Sequence, residues 1–89
     1  MPKAPNTAPG PLTEAVAEIL RAERARRNFN DSTLAKAANV DRTAIGMILK
    51  GKKVPDIEVL ESICIALGHT LTWVAAEAED ATSGLRLKA

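Results

Sequence analysis

The chain has 89 residues, a net charge of +1 and 46% hydrophobic residues, which fits one domain able to bury its own core. Its only aromatics are Phe29 and Trp73, so the core must come from Leu, Ile, Val and Ala, and at helical spacing these favour an all-helical domain. A lone cysteine, Cys64, with a lone histidine, His69, excludes an intrachain disulfide and a four-ligand structural zinc site, and no apolar run approaches the ~20 residues of a membrane span. Residues 1–11 carry four of the five prolines and Gly10, which predicts a disordered or extended arm. The domain itself is expected over residues 12–79, followed by a tail over 80–89.

The first helix is expected over about 13–27, with Thr13 as its N-cap and Glu14 in its first turn. Val16, Ile19 and Leu20 form its apolar stripe, flanked by Ala15, Ala22 and Ala25, while Glu18, Arg21 and Arg24 lie opposite. Asn28 suits a left-handed terminator, and Phe29 returns to the core. A second helix over 32–38 follows the capping cluster Asn30-Asp31-Ser32, with Leu34, Ala35 and Ala38 inward. Asn39 can take the positive φ of a tight interhelical turn, and Val40 is the buried residue of that turn. Asp41 caps a third helix over about 42–50, which Gly51 stops. Asp56 caps a fourth over about 56–67, with Ile57, Leu60, Ile63, Cys64 and Leu67 inward, ended by Gly68. Thr70 caps a fifth over about 70–79, with Leu71, Val74 and Ala78 toward the core. In the tail, Leu85 and Leu87 alternate with Arg86 and Lys88, the pattern of a short strand or of a segment swapped onto a partner.

Charge is distributed unevenly. Residues 21–53 hold nine Lys or Arg against three acids, and the remainder holds three basic residues against eight acids. Such a chain can present one basic and one acidic face. Two short helices joined by about three residues, as at 32–38 and 42–50, have the spacing of a helix-turn-helix.

The run Leu34-Ala35, Asn39-Val40, Arg42, Ile45, Ile48, Gly51-Lys52, Pro55, Leu60, Ile63, Ala66-Leu67-Gly68 resembles the phage-repressor-like (Cro/C1, XRE-type) helix-turn-helix family. The resemblance covers about Ile19 to Val74. It implies a five-helix, lambda-repressor-like DNA-binding domain whose third helix enters the major groove of double-stranded DNA. With Ile45 and Ile48 anchoring the inner face, Arg42, Thr43, Gly46, Met47 and Lys50 face outward. Arg42 can donate two hydrogen bonds to guanine, and Thr43 and Met47 can meet a base edge or a thymine methyl. Lys50, Lys52 and Lys53 suit phosphates, and by family analogy Lys53 also reaches a base. Ser32 and Thr33 offer backbone amides to a phosphate, and Arg27 lies near the flanking backbone. Gly46 has two readings: room for close approach to DNA, or close packing against the second helix. One departure stands out, because the family often places a phosphate-contacting Gln where this chain has Asp31.

Cys64, on an apolar face, reads as an inert buried thiol rather than half of a nucleophile–base pair with His69, which is expected at the surface. No phosphate loop or paired carboxylates appear, so neither an enzyme nor a cofactor is expected. Trp73 is either a dimer anchor or a lid on the monomer core, and Leu85 and Leu87 are further dimer-contact candidates. The expected function is a bacterial or phage repressor, cytoplasmic and nucleoid-associated, that binds a palindromic operator as a homodimer. The alternative is a protein-interaction module on the same fold: an antitoxin, an antirepressor or a coactivator.

Overall fold

A computed structural model describes residues 9–88, with side chains through Ser83. Five helices follow in chain order: α1 Pro11–Arg26, α2 Asp31–Ala38, α3 Arg42–Leu49, α4 Ile57–Ala66 and α5 Leu71–Lys88. The all-α, five-helix architecture expected from the sequence is the one observed. Residues 1–8 of the expected arm lie outside the described residues.

Helix starts follow local chemistry. Asp41 Oδ2 accepts from the Ala44 amide at 3.2 Å and Asp56 Oδ1 from the Val59 amide at 2.8 Å. Thr70 Oγ1 accepts from the Trp73 amide at 3.1 Å. Each such cap is worth about 1 kcal/mol. Two starts differ from expectation. Helix α1 opens at Pro11, not after Thr13, and Gly10 occupies its cap position without a side-chain bond. Proline at the first helical position has its φ preset and no amide to leave orphaned, so no polar cap is needed. In α2 the cap is Asn30, whose Oδ1 accepts from the Thr33 amide at 2.8 Å, and Asp31 is already helical.

Stops are set by left-handed residues. Asn28 and Asn39 have φ of 59° and 58°, a region that a short polar side chain tolerates. At Asn39 the chain turns from α2 into α3, and the Val40 amide donates to Ala35 O at 3.0 Å. Val40 itself is half-buried against the core rather than fully enclosed.

Leu20, Leu34, Ile45, Ile48, Ile63, Cys64, Leu67 and Val74 are fully buried. Small residues at Ala15, Ala17, Ala35 and Ala38 let the helices approach closely. Helix α1 packs along α5, and α2 packs on both α3 and α4. On α1 the buried row is Val16, Leu20 and Glu23, with Ala15 and Ala17 beside it, whereas Ala22 and Ala25 are exposed. On α4, Ile57 is 66% exposed although it lies on the same stripe as Leu60 and Cys64. The helix reaches the core only one turn later, so its first residue has nothing above it.

The largest difference lies in α5. Of the two readings of Leu85 and Leu87, a short strand or a segment swapped onto a partner, the strand does not form, and the helix runs to Lys88. Val74, Ala78 and Thr82 continue one inward row at i, i+4 and i+8, with exposures of 0%, 0% and 3%. The buried Thr82 hydroxyl is satisfied by donating to Ala78 O at 3.0 Å, so a polar residue extends the stripe at no unpaired cost. The side chains of Leu85 and Leu87 lie outside the described residues.

Candidate nucleic-acid interface

Ile45, Ile48 and Leu49 fix α3 to the core, and this decides what its other side presents. Arg42, Thr43, Met47 and Lys50 are exposed there, and with Gly46 and Asp31 they line one shallow depression. A second, adjoining depression runs along the α2–α3 turn and is lined by Ser32, Lys36, Asn39, Asp41 and Arg42 among others. Ser32 and Thr33 are exposed at the start of α2, and Lys52 and Lys53 are exposed in the loop after α3. A Lys-rich loop therefore flanks one end of the α3 face, and the start of α2 lies beside its middle, where Asp31 adjoins Gly46.

Arg27 stands apart from this face. Its Nε donates to Glu23 Oε2 at 3.2 Å, and its guanidinium lies over Gly68 in the α4–α5 turn, 2.8 Å from where a Cβ would stand. The same turn holds His69, which is not a plain surface residue. His69 is only 26% exposed by side chain; its Nε2 donates to Glu23 Oε2 at 2.9 Å, and its ring stacks on Trp73 at 3.7 Å between centroids. Trp73 is half-buried and packs against the core.

The α1 arginines lie opposite the apolar stripe, as expected for Arg21 and Arg24, and each finds a partner within the chain. Arg21 Nη1 donates to Leu49 O at 2.6 Å, closing an open carbonyl at the C-terminal end of α3 and fixing where that helix stops. Arg24 Nη1 donates to Phe29 O at 3.1 Å, and Arg26 pairs with Glu23 at 2.9 Å. Periodicity gives no signal for the Arg21 role, because the Leu49 carbonyl is brought in by tertiary folding, whereas Arg26 and Glu23 stand at helical i, i+3 spacing. Cys64 is fully buried, and burial, with the nearby Glu61 charge, pushes its thiol up to about 11, so the reactive thiolate is suppressed.

Gly46 is resolved on one side. A Cβ built there would meet only Asp31 Oδ2, at 3.7 Å, an ordinary contact, so packing of α2 does not require glycine. Gly46→Ala is expected to raise the unfolding free energy by up to about 1 kcal/mol, because it removes the backbone-entropy cost of a mid-helix glycine. A urea titration checks this, and a lowered midpoint would show that the packing does need glycine there.

Two short helices joined by a left-handed turn, the second pinned by apolar residues inside and polar residues outside, define a helix-turn-helix domain. The helix-turn-helix family model matches residues 20–74, and the chain belongs to that family, the class of DNA-binding transcriptional regulators. Among solved structures it is similar to the clp gene regulator ClgR from Corynebacterium glutamicum, at 30% identity over 86% of this chain and 82% of that one, with a TM-score of 0.74. A second structure of that regulator aligns at 33% identity over 79% of this chain and 91% of that one, with a TM-score of 0.69. A hypothetical transcription factor NHTF from Neisseria shares the fold at 18% identity and a TM-score of 0.71, covering 93% of this chain and 96% of that one. No match is found among curated proteins. No single described helix is long and apolar enough to cross a membrane.

Proposed function

We propose that this protein is a transcriptional repressor of bacterial or phage type that binds a palindromic operator as a homodimer. The observation that carries the reading is the outward face of α3, where Arg42, Thr43, Met47 and Lys50 surround Gly46 while Ile45 and Ile48 hold the helix from behind. In this reading α3 lies in the major groove. Arg42, Thr43 and Met47 meet base edges, Lys50, Lys52 and the amides of Ser32 and Thr33 hold phosphates, and Lys53 holds a phosphate and also reaches a base edge. The half-sites then lie about 34 Å apart, one helical turn. We assign the dimer contact to Trp73 and the C-terminal turns of α5, with Leu85 and Leu87. Repression follows from occupancy alone. The likeness to a protein described as a gene regulator supports a regulatory role.

The test is Arg42→Ala. Specific binding is expected to fall by about 1–3 kcal/mol, with non-specific binding less affected. An unchanged ratio of specific to non-specific affinity removes Arg42 from readout.

A second reading, a protein-interaction module, draws on α4. Ile57 and Ile65 are 66% and 61% exposed there, beside the exposed acids Glu58 and Glu61. A stable heterocomplex together with no DNA affinity at low salt would favour that reading.

A further inference from the structure

The α3 face carries one charge of the wrong sign for a phosphate partner, and its surroundings give it another use. Asp31 is the first residue of α2, where a carboxylate would ordinarily serve as a cap. Asn30 already does that, accepting from the Thr33 amide at 2.8 Å. Among the described residues every ion pair within 4.0 Å involves Glu23, so no cation neutralises Asp31. Its side chain instead reaches α3 beside Gly46, with Oδ2 3.7 Å from the point where a Cβ would stand, an ordinary contact distance. There it lines the same depression as Arg42, Thr43, Met47 and Lys50, and it is half-exposed. A side chain from α2 thus stands beside the position at the middle of the outward face where α3 has none.

We propose that Asp31 is a specificity-determining residue that reads the exocyclic amino group of a cytosine in the major groove; this rests on the reading in which α3 occupies that groove. The chemistry selects the base. A carboxylate only accepts hydrogen bonds, and the major groove offers donors only at cytosine N4 and adenine N6. Adenine sets an acceptor, N7, beside its amino group, guanine presents N7 and O6, and thymine presents O4, all of which repel a carboxylate. Cytosine N4 has no acceptor on the same base edge. The flanking Arg42 and Lys50 offset the repulsion between Asp31 and nearby phosphates, so that the carboxylate rejects wrong bases without preventing docking. Gly46 is part of the device, since a large side chain there would displace the carboxylate.

The experiment is selection of bound duplexes from a random pool by the full chain, its Asp31→Ala variant and its Asp31→Asn variant, followed by titration of each protein on the selected duplex and on one with the assigned cytosine pair replaced. The wild-type chain is expected to fix a cytosine in each half-site and to lose about tenfold in affinity when it is replaced. Asp31→Ala is expected to bind the two duplexes within about twofold of each other. Asp31→Asn keeps the shape and adds a donor, which moves the preference toward adenine. If Asp31→Ala retains the wild-type consensus and discrimination, binding more tightly to every sequence, the carboxylate is merely repulsive and the proposal is overturned while groove binding by α3 stands. If the wild-type chain selects no sequence, the groove reading falls and this assignment falls with it.

Discussion

Raising salt from about 50 to about 200 mM is expected to weaken operator binding by about a thousandfold. The proposed phosphate grip uses Lys50, Lys52 and Lys53, with Lys53 placed to reach past the backbone to a base, so a dimer presents six such lysines to the duplex. Each neutralised phosphate releases condensed counterions, and the logarithm of affinity falls by about 0.9 per phosphate for each unit rise in the logarithm of salt concentration. Six contacts give a slope of about −5, and a fourfold rise in salt then costs about three orders of magnitude. Fluorescence anisotropy of a labelled duplex across a salt series measures the slope. Lys52→Ala removes two contacts per dimer and should make the slope shallower by about 2 without altering which sequence is preferred. A slope near zero would remove the electrostatic basis of the proposal. The lysines bear this prediction because the arginines do not share the load: Arg21 and Arg24 are tied to Leu49 and Phe29 carbonyls, and Arg26 and Arg27 to Glu23.

That division shows how far the sequence could be read. The turn around Asn39, the caps at Asp41 and Asp56 and the inward pair Ile45 and Ile48 were legible, because each depends on residues within one or two turns of itself. The surplus of positive charge between residues 21 and 53 was legible as a count but not as a surface. Three of its nine basic residues lie on α1, where the partners are a helix end 28 residues away, a following turn and a buried carboxylate. The length of α5 was missed for a related reason. Thr82 reads as polar and therefore exposed, but its hydroxyl bonds back to its own helix and lets it take an inward position. Ile57 erred the other way: its stripe position was right, but periodicity does not say where along a helix the core begins. Asp31 was legible as a departure from the family pattern, but its nearness to Gly46 depends on the crossing of α2 and α3.

Glu23→Gln is expected to lower the unfolding free energy near neutral pH by about 2 kcal/mol, and the gap should narrow in acid. Glu23 takes the inward position after Leu20 on α1 and is 5% exposed. Its carboxylate accepts from His69 and Arg27 through Oε2 and from Arg26 through Oε1, so it ties the end of α1 to the α4–α5 turn. The His69 hydrogen bond, followed by the Arg27 bond and the charges of Arg26 and His69, outweighs the opposing effect of burial and holds Glu23 below its ordinary value of 4.5. A carboxyl whose pKa is depressed by folding contributes stability that is fully present above the unfolded value and is lost as pH falls through the folded one. The wild-type chain should therefore lose stability as pH drops below about 4.5, and Glu23→Gln, with no proton to gain there, should show a flatter profile. Trp73 is the chain's one tryptophan and stacks on His69, so its fluorescence during urea unfolding at pH 7, 5 and 3 follows the cluster directly. Parallel profiles for the two proteins would mean that the carboxylate is held no more tightly in the fold than in the unfolded chain. The glutamine variant tests the charge and leaves the shape: its amide can still accept from His69, so what remains of the gap at pH 3 measures packing and neutral hydrogen bonding rather than the ionised pair.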